Sequence, residues 1–359
     1  MLESLTRRAV PATTRVLARY LVPAIDTAAT STDPLVGSWA PKPHTDSRLW
    51  AWTHLGIFIP ELPAPHRYLN TMTLIGATGS VIFDDDCVAA ADARRTATVM
   101  SSTAVEDQHH YRGYDSLADC EFASDGSSLR WSDELDIRCE HPVFAVTARY
   151  KTFSADLEVT ATDRVSWFVR NPAYHHYSVL ATVTGTITDA KGTTDIDALC
   201  TVEYARCVSP QALRHTPLPA HLKVPIDFFT YQIVNLSDRS QLLLTDVRAC
   251  GEQMVLTASI RSLDDPITKV FTNTRMSVIE WDVPRVDARG QQMWMPKQLQ
   301  WHVNNDRGEP VLTIQATIDA PWRKGHGVGF ASAYTYTGRW GDEALAGSGY
   351  IEWVDCEPH

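Results

Sequence analysis

The chain has 359 residues, 44% hydrophobic and 21% charged, which is enough apolar content for two ordinary domains and excludes wholesale disorder. A net charge of -11 leaves no basic stripe to replace phosphate counterions, so general nucleic-acid binding is excluded. The 11 Trp, 12 Tyr and 10 Phe suit either an aromatic-lined pocket or a sheet-rich core.

Near the N-terminus, Arg7, Arg8, Arg15 and Arg19, together with Pro11, interrupt any apolar run of signal-peptide length. Thr14 can cap a short helix whose Val16, Leu17, Tyr20 and Leu21 pack back on the body, giving a helical extension over residues 1–33. No stretch approaches the roughly 20 apolar residues of a membrane span. The seven Cys are scattered without a C-x-x-C pair and read as buried free thiols of a cytoplasmic protein, with a Cys200–Cys207 disulfide left open.

Beyond residue 33 the apolar pattern has period two. Leu157, Val159 and Ala161 alternate with polar residues, as do VLATVTGTI from Val179, MVLTASI from Met254, and Leu312, Ile314, Ala316 and Ile318. Each run has one apolar and one Thr/Ser-rich face, the pattern of a half-buried antiparallel strand. Turn chemistry separates the strands at Ser124-Asp125-Gly126, at residues 189–192, at Asp264-Asp265-Pro266 and at residues 304–308. Without βαβ alternation, these elements indicate an all-β protein of sandwiches or barrels.

A weak repeat divides the chain. Thr184-Gly185 precedes Val202-Glu203-Tyr204, and Thr337-Gly338 precedes Ile351-Glu352-Trp353, about one domain length further on. A Pro-rich stretch at residues 209–225 falls between them. The expected organisation is an extension over 1–33, one barrel over 34–208, a linker over 209–225 and a second barrel over 226–359.

No G-x-S-x-G elbow, P-loop or H-E-x-x-H motif is present. Gly325-His326-Gly327-Val328-Gly329 follows no βαβ unit and reads as a turn or bulge. Asp84-Asp85-Asp86 reads as a solvated turn, because consecutive strand residues point to opposite faces and cannot jointly hold a cation. The same divergence limits His109-His110 and His175-His176 to one ligand per pair for a given metal, and any partners must come from the fold. No metal is therefore expected from the sequence. Tyr174-His175-His176-Tyr177 places polar-tipped rings before an alternating strand, either to act on a ligand or to pack at a barrel rim.

Residues 226–233, IDFFTYQI, then Asn235-Leu236-Ser237-Asp238 and QLLLTDVR, resemble the W-D-W-F-x-x-Q-L, polar turn, L-M-L-Y-x-L-R stretch of the lipocalin-like family that includes carotenoid 1,2-hydratase (hydroxyneurosporene synthase) and AttH-type proteins. Trp50-Ala51-Trp52 resembles its aromatic first strand, the Tyr177 to Gly185 run its Y-S-x-x-x-x-x-x-G strand, and Trp301-His302-Val303 its W-x-(I/V) element. The C-terminal YTGRWGDEALAGSGYIEW resembles its closing G-x-x-x-G-x-G-Y-(V/I)-E, here ending on Gly347, Gly349, Tyr350 and Glu352. The chain departs from the pattern at Ile226 and Phe228, where the family has Trp, and at residues 197–204, where the first-half closing motif differs.

The resemblance implies two lipocalin-like antiparallel barrels packed together. It also implies a large hydrophobic substrate, polyene, terpenoid or lipid-like, undergoing alkene hydration, isomerisation or cyclisation with no cofactor. Hydration needs a carboxylic acid kept protonated by apolar surroundings, aromatic faces for the cation and a polar group to place water. Asp227, flanked by Ile226, Phe228 and Phe229, is the expected acid, unless it is a structural carboxylate. His175, His176 and Tyr231 are the expected partners in catalysis. Trp50, Trp52, Tyr177, Tyr204, Phe229 and Trp301 are the expected pocket walls, unless they are plain core. A lipid or pigment carrier is the non-catalytic alternative.

Overall fold

A computed structural model describes residues 25–84, 88–286 and 292–357. The short helix expected around Thr14 lies outside the described residues, as do Asp85 and Asp86. The chain forms two nearly closed antiparallel β-barrels.

The first barrel comprises β1 (Trp50–Ile59), β2 (Leu69–Gly76), β3 (Thr96–Ser102), β4 (His109–Asp115), β5 (Cys120–Phe122), β6 (Ser128–Trp131), β7 (Leu135–Glu140), β8 (Val143–Arg149), β9 (Phe153–Asn171), β10 (Tyr174–Asp189) and β11 (Gly192–Val208). Sequential strands pair as a meander, and β1 also pairs with β11, so the sheet edges are β4 and β5. Side chains tie β4 to the turn between β6 and β7 on the far side of the gap between those edges. The Tyr114 hydroxyl of β4 donates to Glu134 Oε2 over 2.6 Å, and Arg112 Nη1 donates to the same oxygen.

The second barrel comprises β12 (Ile226–Asn235), β13 (Ser240–Ala249), β14 (Glu252–Ser262), β15 (Lys269–Phe271), β16 (Asn273–Trp281), β17 (Arg285–Val286), β18 (Gln292–Met293), β19 (Pro296–Asn304), β20 (Pro310–Ile318), β21 (Arg323–Lys324), β22 (Phe330–Trp340) and β23 (Glu343–Asp355). Its first and last strands, β12 and β23, are again paired, and its main sheet ends at β15 and β16. Strands β17 and β18 form a separate ribbon.

The alternation read from the sequence has a direct structural cause. In β1, Leu55, Ile57 and Ile59 enter the first core, whereas Phe58 joins the second barrel's core with Tyr68, Met72, Met100 and Phe168. The outer face of the first barrel is therefore apolar where the second packs on it. The repeated Gly185 and Gly338 also have a physical reason. A Cβ at either would lie 2.0 Å from a neighbouring-strand carbonyl, that of Asp156 or Thr313.

Between β11 and β12 the chain makes short 3-10 turns at Pro210–Leu213 and Ala220–Leu222. Lys223 Nζ sits 3.2 Å from Asp84 Oδ2, and Asp84 also accepts from the Thr78 and Gly79 amides. Asp84 is thus a buried structural carboxylate rather than part of a solvated turn, because its oxygens hold a loop and a lysine at once. Cys200 and Cys207 are both thiols, so the disulfide left open by the sequence does not form. Among the described residues no helix is long and apolar enough to cross a membrane.

Candidate functional site

Three neighbouring strands assemble the most unusual group of side chains. His54 on β1 and His176 on β10 are both Cα partners of Ala205 on β11, one from each side. Glu203 lies two residues back along β11 and therefore on the same face. The small Ala205 leaves room for the two imidazoles to lean together over it. Gly56, the β1 partner of Glu203, does the same for His54, since a Cβ there would lie 3.0 Å from His54 Nε2.

His54 Nε2 is 3.5 Å from Glu203 Oε1, and His176 Nε2 is hydrogen-bonded to the same oxygen. Each ring is fixed from behind. His54 Nδ1 lies 2.7 Å from the Thr73 carbonyl oxygen, and His176 Nδ1 lies 3.0 Å from the Tyr174 hydroxyl. The cluster is nearly sealed, with Glu203 only 3% exposed. Burial alone would raise the Glu203 carboxyl, but the two histidines outweigh it and hold the group down at about 2.

The second barrel brings its own ionisable groups to this seam. Tyr231 on β12 reaches Ser178 Oγ at 3.4 Å and packs its ring against Phe58 and Phe168. Glu352, the β23 residue paired with Tyr231, is partly buried; desolvation and then the Glu203 charge push its carboxyl up to about 8. The Tyr350 hydroxyl donates to Glu352 Oε1 over 3.0 Å and accepts from Asn70 Nδ2 of the first barrel over 2.8 Å. His326 follows β21, with its ring 6.1 Å from that of His54; burial pulls it down to about 3, so it is neutral. The seam thus holds an ionised carboxylate, a protonated carboxyl, imidazoles and phenols, with protons separated by environment.

Of the residues expected from sequence, the structure brings His176 and Tyr231 to this seam. His175 points the opposite way, with Nδ1 3.1 Å from Arg206 Nη2, because neighbouring strand residues diverge. Asp227 is not among the groups in contact with the cluster. Its Oδ2 accepts from Gly251 N at 3.2 Å in the β13–β14 turn, and burial raises its carboxyl. That is a turn-holding position at the start of β12.

The expected pocket walls are packed. Tyr177 and Tyr204 lie in the first core, where Tyr204 donates to the Lys42 carbonyl over 2.8 Å. Trp301 lies in the second, donating from Nε1 to Gln232 Oε1 over 3.2 Å. Trp52 packs on Tyr174, Trp50 lies under the Arg206 guanidinium, and Phe229 meets Phe83 edge-on. Two cavities stand out among the described residues. One of about 130 Å³ lies near Met293, Phe330 and Glu357, and one of about 30 Å³ lies near Leu74, Thr98 and His326. Both fall short of the roughly 300–1,000 Å³ of a drug-sized pocket.

Sequence reasoning did not single out His54, Glu203 or Glu352 as candidates for this site. The available signal was the repeated glutamate, an acidic side chain inside an apolar closing strand in both halves.

Fold and site together define a tandem β-barrel protein with one buried ionisable centre at its seam. A family model described as "Family of unknown function (DUF6670)" matches residues 72–359, and the chain belongs to that family. No match is found among curated protein sequences. Two solved structures share the fold. A provisionally assigned AttH from Nitrosomonas europaea has 16% identity and a TM-score of 0.59, covering 90% of this chain and 99% of its own. Kievitone hydratase from Nectria haematococca has 10% identity and a TM-score of 0.56, covering 90% of this chain and 98% of its own.

Proposed function

We propose that this protein is an enzyme that adds water to, or removes it from, a carbon–carbon double bond of an apolar small molecule, acting at the seam between the barrels. The observation that carries the reading is the convergence on one seam of His54, His176 and Glu203 from the first barrel with Tyr231, Tyr350 and Glu352 from the second, the Glu203 carboxyl held down and that of Glu352, within its electrostatic reach, pushed up. Environments that push two carboxyls apart provide one acid and one base. The fold shared with a hydratase supports the reaction class.

In the forward direction Glu352 gives its proton to the alkene, and the Phe58, Phe168 and Tyr231 rings face the resulting cation. Water captures the cation and passes a proton to the His176–Glu203 pair. One water is consumed, and solvent returns the proton to Glu352. Dehydration runs the same steps in reverse. The small cavities require the seam to open for entry.

The test uses a panel of isoprenoid alkenes and the corresponding tertiary alcohols in ¹⁸O-labelled water, read by mass spectrometry. Labelled alcohol is expected from wild type. Glu352→Gln and Glu203→Gln are expected to lower its rate by at least ~100-fold, the scale of one general acid or base. Stoichiometric binding with release of every panel member unchanged would replace the enzyme by a carrier.

A further inference from the structure

His175 and His176 cannot share a metal, but the fold supplies His176 with the partners that the sequence alone could not show. The nearest nitrogen or oxygen atoms of His54, His176 and Glu203 all lie within 4.8 Å of one another. In a tetrahedral zinc site, bonds of about 2.0–2.1 Å place ligand atoms about 3.3 Å apart. The 3.5 Å between His54 Nε2 and Glu203 Oε1 matches that spacing, and the shorter His176–Glu203 contact must open to admit an ion.

Tautomer logic points the same way. A carbonyl oxygen only accepts, so His54 Nδ1 carries the hydrogen that bonds Thr73. With Nδ1 engaged there, Nε2 is the nitrogen that faces Glu203 and the atom placed to ligate an ion held between the two. Glu203 Oε2 is buried without a hydrogen-bond partner, leaving an oxygen available to the same cation. The Thr73 carbonyl and the Tyr174 hydroxyl stand where metal-ligating histidines find their outer hydrogen-bond partners.

We propose that His54, His176 and Glu203 bind one divalent transition-metal ion of the zinc type. Three protein ligands leave a fourth position for water, as catalytic rather than structural zinc sites do. Two imidazoles favour such an ion over magnesium or calcium. The inference takes from the reading above only the seam as the functional centre; with an ion bound, His176 and Glu203 would be ligands and would not serve as the proton acceptor assigned there.

The experiment uses the full chain, stripped with a chelator and titrated with Zn²⁺, Co²⁺ or Mg²⁺ alone, without substrate. Zinc is expected to survive desalting at one equivalent per chain and to raise the melting temperature; magnesium is expected to do neither. His54→Gln and Glu203→Gln should each weaken zinc binding by at least ~100-fold, and Tyr174→Phe by ~10-fold through loss of the outer partner. His175→Gln, on the opposite face, should leave it unchanged. Circular dichroism identifies a variant that fails to fold. X-ray absorption at the zinc edge of the wild-type chain then decides, with two imidazoles and a carboxylate oxygen supporting the site. A thiolate or all-oxygen shell, no retained zinc in wild type, or undiminished binding by folded His54→Gln and Glu203→Gln variants would overturn it. A chain that binds zinc and hydrates nothing would remove the reaction and leave the site. A chain that hydrates its substrate without retaining metal would do the reverse.

Discussion

The guanidinium of Arg261, on β14 of the second barrel, donates from Nη1 to the Ser178 carbonyl on β10 of the first, over 2.7 Å. Its Nη2 donates to Gln241 Oε1, also over 2.7 Å. Burial lowers Arg261 to about 10, so it remains a cation at neutral pH, with Tyr231 and Glu203 the first two groups that oppose the shift. A sealed arginine is therefore a tie between the barrels and a counter-charge to the seam.

Replacing Arg261 with Met should cost about 3 kcal/mol, because Glu203 loses a counter-charge and the Ser178 carbonyl its partner inside the protein. Urea denaturation measures this. A loss below about 1 kcal/mol would mean that water or a rearranged side chain replaces the guanidinium.

The Lys223–Asp84 pair ties the inter-barrel segment to the first barrel, with side chains 11% and 8% exposed. Lys223→Met should destabilise by about 3 kcal/mol, since Asp84 stays buried without its cation. Adding Asp84→Asn should recover part of that loss. Strict additivity in a double-mutant cycle would show that the two residues do not interact.

Burial pulls His110 from 6.5 down to about 4. Its ring stacks on Tyr150 at 4.2 Å and bonds the Tyr114 hydroxyl at 3.0 Å. The unfolded chain binds this proton more readily, so His110 lowers stability as pH falls from 6.5 toward 4 and has no effect above that window. Melting temperatures across this range should decline less steeply in His110→Gln than in wild type. Parallel curves would refute the assignment.

Gly338→Ala should cost about 2 kcal/mol, because its Cβ would meet backbone at 2.0 Å and the β20–β22 pairing must spread. Gly185→Ala should behave alike in the first barrel, with added strain from its φ of +147°. Thermal melts of both variants test this, and a neutral result at either position would show that the strands part freely.

The β-strands were legible because half-buried strands write their burial as alternation, and β10, β14 and β20 follow the Val179, Met254 and Leu312 runs. The turns were legible because Asp, Asn and Gly favour specific backbone geometries, and the four turn clusters connect successive strands. The site was only half legible. His176 and Tyr231 stood out as polar rings in apolar strands. His54 became visible only once β1 and β10 flanked β11, a pairing across more than 100 residues that no local pattern encodes. Asp227 has the raised carboxyl that its apolar neighbours suggest, but it lies at the β13–β14 turn, away from the cluster. Strand pairing, not flanking sequence, decides which acid reaches the seam.

Glu203 and Glu352 hold corresponding places in the two barrels, yet one is charged and the other is neutral near pH 7. In a dimer of identical barrels related by a two-fold axis, both carboxyls would see the same surroundings and would have to share whatever proton was available. A covalent tandem removes that constraint. Here Glu203 faces two histidines, whereas its counterpart faces a tyrosine hydroxyl. Joining two copies in one polypeptide therefore fixes which carboxyl is acid and which is base, where a symmetric pair sharing one proton leaves the roles interchangeable. It also means that neither half, expressed separately, contains the complete centre.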